Sequence, residues 1–514
     1  MVTRYDYDGP WDDNIGYEVL NSSGAINPLL KYSYLNGGST FTLASPAFGN
    51  PIKVIISNIN ATIVKQNGTF NLNSTTVTLI WTGSEWLPTT PQNFAYVPKT
   101  QQGTKLVGTG YTNVGTTYYG GFGNSVAVSG DGIVLATSNI NDNNGVGAIW
   151  IFTRSGTVWT QQGAKLLGTG YSGLGQQGSS LAMSYDGNTL LVGAPNDFGG
   201  VGASWIFTRN GTVWTQQGSK LVGTGYSGPA TQGTAVAIGG DSNTIGITGF
   251  YDLGSVNYYL GATWIFTRSG TVWTQQGAKL LGTGYSYASA PNNGQGNSIA
   301  ISPNSNTLAI GSEYDQINAA GNIPVGATWL FTRNGTVWTQ LGHKLIGTGY
   351  SGISTYGNKQ GAGVAFGDNN TLASASLIDS KIGATWIFTR TGTSWTQQGP
   401  KLIGTGASSG NGISNNVRAG TISLSGNTLL IGGRDDNFTG GSDVGNTGAF
   451  WIFTRNGTVW TQQGTKLLGT GYSGNAGGPG ANQGSGVALS ANGDLAVIGG
   501  YNDNDYLGAV WVFY

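Results

Sequence analysis

A single phrase recurs down this chain, and it is cut in two at the ends of the array. It reads Gly-Ala-x-Trp-Ile-Phe-Thr-Arg-x-Gly-Thr-x-Trp-Thr-Gln-Gln-Gly-x-Lys-Leu-x-Gly-Thr-Gly. Its Trp-Ile-Phe core stands, with small variations, at Trp150, Trp205, Trp264, Trp329, Trp386, Trp451 and Trp511. Its Lys-Leu core stands at Lys105, Lys165, Lys220, Lys279, Lys344, Lys401 and Lys466. The two series are offset: the array opens with an orphan Gln101 to Leu106 and closes with an orphan Gly508 to Tyr514. An open stack has no need of that offset. A closed ring does, because the first strand completes the last unit.

Successive core tryptophans are 55, 59, 65, 57, 65 and 60 residues apart. Periods of this length built only from strand-like segments point to propeller blades rather than helical solenoids. One unit reads as four strands: A over Gly178 to Ser184, B over Thr189 to Ala194, C over Ala203 to Thr208 and D over Val213 to Leu221. Each is short, rich in β-branched, aromatic and Gly residues and bounded by turn residues. Asn210-Gly211 reads as the hairpin between C and D. The fold expected is all-β: a seven-bladed β-propeller with N-to-C strand closure, preceded by a small β domain. The boundaries expected are residues 1–92 for an N-terminal β attachment module with an irregular leading segment, 93–100 for a linker, and 101–514 for the propeller.

Composition narrows the function. Charged residues are 9% of the 514, against about 25% in ordinary proteins, and the formal net charge is zero. No broad phosphate-binding surface is expected from such a chain, so no nucleic-acid partner is expected. Of the 22 basic residues, 13 are the repeated Lys and Arg; the repeated Lys reads as an edge charge on strand D. The chain has no Cys, which removes disulfides and thiolate metal sites. It opens without an apolar signal-like run, and no apolar run approaches a membrane span, so no membrane insertion is expected.

Outside the repeat, Thr40 to Leu43, Pro51 to Ile59, Thr69 to Leu72 and Thr76 to Trp81 read as strands, and the first 35 residues read as irregular with an acidic cluster at Asp6, Asp8, Asp12 and Asp13. Leu79-Ile80-Trp81-Thr82-Gly83-Ser84-Glu85-Trp86 resembles the small β modules of phage tail fibres and other viral appendages. The repeat resembles the FG-GAP repeat of the integrin α-subunit propeller and its bacterial and viral relatives. The matching residues are Phe122-Gly123-Asn124-Ser125-Val126-Ala127, Val192-Gly193-Ala194-Pro195, and Gly202-Ala203 to Phe207, with Gln-Gly for Phe-Gly at Gln177, Gln232 and Gln483. The resemblance implies ligand recognition through loops on one face, not catalysis.

Candidate sites follow from the loops. Relatives often carry calcium between strands A and B, but Ser129-Gly130-Asp131-Gly132, Tyr185-Asp186-Gly187-Asn188, Ser302 to Ser305 and Leu424 to Asn427 do not supply the clustered carboxylates that ion needs. No metal or cofactor is expected. After strand B, Asp142, Asp197, Asp252, Asp315, Asp379, Asp435 and Asp503 recur, as loop braces or as residues that bind a metal or another ligand. Tyr285, Tyr350 and Tyr472 stand in the variable segments between D and A and are further ligand-binding candidates. Gly168-Thr169-Gly170-Tyr171-Ser172-Gly173 matches a dinucleotide fingerprint but no helix follows it, so it reads as a turn. His343 is the sole histidine, and nucleophile–base pairs are missing. Sequons occur at Asn21, Asn60 and Asn210 among others, and Ser or Thr in place of the Asn at Ser155, Ser269 and Thr391 makes turn chemistry the reading for three of them.

The function expected is therefore a non-enzymatic structural and recognition protein of a virion or extracellular surface. Its propeller loops would display sites for a glycan or protein receptor, and residues 1–92 would mount it on virion or surface scaffold proteins. Two alternatives are kept: an architectural, self-assembling tile, which is a homo-oligomer, and a carbohydrate-active enzyme that works through paired carboxylates.

Overall fold

A computed structural model of the chain divides it into two compact units, Met1–Tyr96 and Val97–Tyr514. The described residues are 97–514, apart from stretches at 113–120, 255–258, 286–291, 316, 319–320, 351–356, 380–381, 408–420, 437–446 and 474–479, and, before residue 97, nine strands alone. The acidic cluster at Asp6 to Asp13, the Gly83-Ser84-Glu85 turn and much of the variable loops lie outside them. Among the described residues no helix is long and apolar enough to cross a membrane.

The described residues of the first unit are all strand. Tyr17–Leu20, Tyr32–Leu35, Ile52–Ser57, Thr76–Trp81 and Trp86–Pro88 form one sheet in that order, and Gly24–Ile26, Thr40–Leu43, Asn60–Lys65 and Gly68–Asn73 form another. The early strands pair in parallel, Tyr17 with Tyr32 and Tyr32 with Val54 in one sheet, Gly24 with Phe41 and Thr40 with Thr62 in the other. The chain thus alternates between two sheets as it coils. This corrects the reading of the first 35 residues as wholly irregular: their strands are three or four residues long, too short for a period to show.

The second unit is a closed ring of seven antiparallel blades. The second blade, strands A to D, runs Ser180–Met183, Thr189–Ala194, Ala203–Asn210 and Val213–Gln216. Val192 opposes Trp205, and Arg209 opposes Trp214. The C–D turn is Gly211-Thr212 rather than Asn210-Gly211, because Asn210 still pairs with Val213. Gly211 has φ of +61°, and a Gly at the first central position is the mark of a two-residue hairpin loop. Strand D also differs from expectation. It breaks after Gln216 at Gly218, where φ is +73°, and rejoins strand C as a single bridge from Leu221 to Ser204.

Strand C is apolar on both faces because both are covered. Its seven tryptophans, Trp150, Trp205, Trp264, Trp329, Trp386, Trp451 and Trp511, are all fully buried. Blades pack face to face: Ile149 and Ile151 of the first blade share one core with Leu190, Val192, Trp205 and Phe207 of the second. Leu135, Trp150 and Phe152 share another with Leu495, Val497, Val510 and Val512 of the seventh, so the ring closes on itself.

The clasp is the orphan strand. Gln101 bridges Phe513 and Leu106 bridges Val510. Thr100 and Tyr514 exchange both main-chain hydrogen bonds at 2.8 Å, and Gln102 N–H donates to Val512 at 2.7 Å. The seventh blade has only three strands of its own, Gln483–Leu489, Ala496–Gly500 and Ala509–Phe513, and the segment after Val97 covers the edge they would expose.

Candidate functional site

The recurring Asp lies three residues past the end of strand B in every blade, and its carboxylate is turned inward. Asp142, Asp197, Asp252, Asp315, Asp379, Asp436 and Asp503 pair respectively with Lys165, Lys220, Lys279, Lys344, Lys401, Lys466 and Lys105. The carboxylates are 0–3% exposed. The second carboxylate oxygen accepts the N–H of Thr112, Ser172, Ser227 or Ser473 from the loop between D and A, at 2.6–2.8 Å. The Asp main-chain carbonyl accepts the N–H of the Gly that opens strand C, Gly147 for Asp142 and Gly202 for Asp197. One residue therefore ties together three segments of its blade.

Two expectations change. The repeated Lys is not an edge charge; it neutralises a buried carboxylate. The blade-six residue is Asp436, not Asp435. Strand B there ends at Gly433, and three residues on is Asp436; Asp435 instead faces Arg434 and Asn482. Counting from the strand end rather than from the first Asp was the signal. The seven latches are spread around the ring and do not converge, and a ligand at any of them would have to displace a lysine.

The Gly-Thr-Gly phrase is equally structural. The Thr carbonyl accepts the indole N–H of the next core tryptophan, Thr169 from Trp205 and Thr224 from Trp264, both at 2.8 Å. The preceding Gly lies flat on that indole: a Cβ on Gly223 would stand 2.2 Å from Trp264 Cδ1. In five blades a buried Gln, at 177, 232, 295, 360 and 483, both donates to and accepts from this Gly main chain. At the junction of the seventh and first blades the residue is Phe122, which packs edge-on against Trp150 at 5.4 Å instead.

That junction holds a cleft of about 430 Å³ on the loop face. Tyr506 and Leu507 of the seventh blade, Phe122, Asn139, Asn141, Asp142 and Asn144 of the first, and Asn196 of the second line it, with Val107, Tyr111 and Gln176 from the connecting loops. Five side-chain amides make up most of its polar lining, beside the hydroxyls of Tyr111, Thr112 and Tyr506 and the carboxylate of Asp142. Asn196 Nδ2 donates to Gln176 Oε1 at 2.7 Å, and Asn141 N–H donates to Asn139 Oδ1 at 2.9 Å. Asp142 is its one carboxylate and is already matched by Lys165. Among the described residues no three His, Cys, Asp or Glu stand together as metal ligands.

Of the candidate tyrosines, Tyr285 and Tyr350 pack against blade cores, whereas Tyr472 faces solvent. The cleft residues Asn139, Asn141, Asn144, Gln176 and Asn196 escaped the sequence reading because Asn and Gln in loops look like turn chemistry. The one signal was the break in repetition at Phe122.

No protein-family model matches the chain, and no curated protein matches it significantly. Among solved structures, the periplasmic gluconolactonase of Pseudomonas aeruginosa is similar at 12% identity, covering 77% of this chain and 93% of that one, with a TM-score of 0.42. The likeness is one of fold. The expectation of a non-enzymatic structural or recognition protein on a virion or extracellular surface is corrected here. The solved structure to which the chain is similar is a gluconolactonase rather than a virion or surface component.

Proposed function

We propose that this protein is carbohydrate-active and takes a neutral, polyhydroxylated ring into the cleft at the seam of its propeller. The observation that carries the reading is the lining: five side-chain amides flanked by Tyr111 and Tyr506. An amide both donates and accepts, which suits vicinal hydroxyls, and aromatic side chains offer apolar faces to the C–H surface of a sugar ring. Neutrality follows from Asp142, whose charge is matched within the protein by Lys165. The cleft volume lies in the range of small-molecule sites.

The test is titration of the purified protein with neutral mono- and disaccharides and aldonolactones by saturation-transfer NMR, alongside ring-opening and reducing-end assays. Saturable binding that weakens at least tenfold in Asn141→Ala/Asn196→Ala, with turnover in the ring-opening or reducing-end assay, is the expected result. Absence of saturable binding by any of these compounds, or binding indifferent to the amide substitutions, would overturn the reading.

We further infer that the blades are of FG-GAP type. Support comes from Phe122-Gly123, where Phe122 closes the ring against Gly508, and from Gln-Gly in the same structural place at Gln177, Gln232, Gln360 and Gln483, each bridging the Gly that opens strand C of the blade before. A profile built from an alignment of relatives should restore Phe-Gly in further blades; uniform Gln-Gly would count against it.

A further inference from the structure

The Gly-Thr-Gly phrase is followed by Tyr at six of the seven blade junctions, as Tyr111, Tyr171, Tyr226, Tyr285, Tyr350 and Tyr472, and by Ala407 at the remaining one. These positions are equivalent in the repeat but not in exposure. Tyr111, Tyr171, Tyr226 and Tyr472 are 42%, 40%, 38% and 38% exposed. Tyr285 and Tyr350 instead pack against the cores of the fourth and fifth blades. The four outward tyrosines are not scattered. Tyr472 lies between the sixth and seventh blades, Tyr111 between the seventh and first, Tyr171 between the first and second, and Tyr226 between the second and third. They form one uninterrupted arc on the loop face, and the seam cleft, to which Tyr111 itself contributes, lies within that arc.

The arc is rigidly held. Each of these tyrosines follows a Gly with φ of 72–74°. The residue after each, Thr112, Ser172, Ser227 or Ser473, donates its N–H to the buried, lysine-paired Asp of the adjoining blade. The side chain is thus presented from main chain fixed on both sides. Tyrosines fixed in this way offer large amphipathic surface at small entropic cost. Repetition of one stacking residue at regular intervals suits a ligand that itself repeats.

We propose that the natural ligand is a linear neutral polysaccharide, which runs along this arc with one or two of its units seated in the cleft. The proposal rests on the carbohydrate reading of the cleft and extends it to the polymer class. Contacts at separate tyrosines on one chain act together through effective concentration, so affinity should rise with chain length well beyond what the cleft alone gives.

The experiment measures calorimetric affinities for soluble neutral polysaccharides (a mixed-linkage glucan, a xylan and a galactomannan) and for their di- and trisaccharides. Wild type is compared with Tyr171→Ala/Tyr226→Ala/Tyr472→Ala, which leaves the cleft residue Tyr111 in place, and with Tyr285→Phe as a control outside the arc. Unchanged thermal unfolding establishes that the triple variant is folded. The expected result is at least tenfold tighter binding of one polymer than of its trisaccharide by wild type. The triple variant should lose that advantage while its trisaccharide affinity is unchanged. A polymer held no more tightly than its trisaccharide, or held equally well by the triple variant, overturns the arc. Polymer binding that depends on the tyrosines with no short-sugar binding at all upholds the arc and overturns the cleft reading instead.

Discussion

Replacing Lys220 by Met should destabilise the propeller more than replacing its partner Asp197 by Asn. The Asp197 side chain has no exposed surface, while that of Lys220 keeps 20% of its own. Lys220→Met therefore leaves a carboxylate buried without its counter-charge, and removing one partner of a buried pair costs about 3–5 kcal/mol. Asp197→Asn preserves shape, and the amide oxygen still accepts the Ser172 N–H now made at 2.6 Å. The stranded Lys220 can turn its ammonium to water. That loss should be about 1.5–3 kcal/mol, the worth of one charge-assisted hydrogen bond. Urea denaturation followed by tryptophan fluorescence measures both. Because the latch ties the strand-C entry to two loops, the double variant should cost about as much as Asp197→Asn alone, since Met then faces a neutral amide. Equal losses from the two single variants, or a loss below about 1 kcal/mol from Lys220→Met, would refute the buried latch and return Asp197 to the role of an accessible ligand group.

Gly223→Ala should cost about 3 kcal/mol, at the upper end for overpacking, because its Cβ would meet the Trp264 ring at 2.2 Å; thermal unfolding reads it, and a neutral outcome would mean the loop does not lie on the indole. Leu341→Gln should stabilise by about 1 kcal/mol. In other blades the strand-D tryptophan donates to a Gln of the preceding blade, as Trp214 does to Gln162 at 2.9 Å, whereas the buried Trp395 indole N–H has no partner among the described residues and Leu341 occupies the Gln position. Acid should weaken the A–B turns before the core. Burial raises the carboxyls of Asp186 and Asp241, but hydrogen bonds from Ser184 and Asn188 to the first, and from Asn243, Thr244 and Ser305 to the second, outweigh it and hold both below the ordinary 3.8. Groups so depressed contribute stability that is fully present above their unfolded value and is lost as pH falls through the folded one. The urea midpoint of wild type should therefore drop below about pH 4 more steeply than that of Asp186→Asn/Asp241→Asn, and parallel curves would exclude these turns as the cause.

Much of the ring was legible because repetition makes the chain state its rule seven times. The offset of Lys105 from Trp150 and of Trp511 from Lys466 carried the closure, and the strand periods carried the blades. What repetition cannot carry is the difference between copies. Phe122 for Gln, Ala407 for Tyr and Leu341 for Gln look like drift in sequence, yet the first marks the cleft and the third leaves an indole unpartnered. The latch was half visible: Asp and Lys each recur, but their pairing joins segments more than 20 residues apart, and for Lys105 and Asp503 almost the whole propeller lies between them. Outward and inward tyrosines share one local sequence, so only packing against the fourth and fifth blades separates them.

The central claim is that the ring is closed within one chain by the orphan strand that follows Val97, since the cleft exists only at that seam and the arc of tyrosines runs across it. Thr100→Cys/Tyr514→Cys in this cysteine-free chain tests it directly. Residues that exchange both main-chain hydrogen bonds lie about 5.5 Å apart at Cα, within the span of a disulfide. Mild oxidation should give a monomer with an internal bond, migrating faster on a non-reducing gel and unfolding at higher urea than its reduced form. Dimers and higher species linked between chains, or thiols that both stay free in the folded protein, would contradict it.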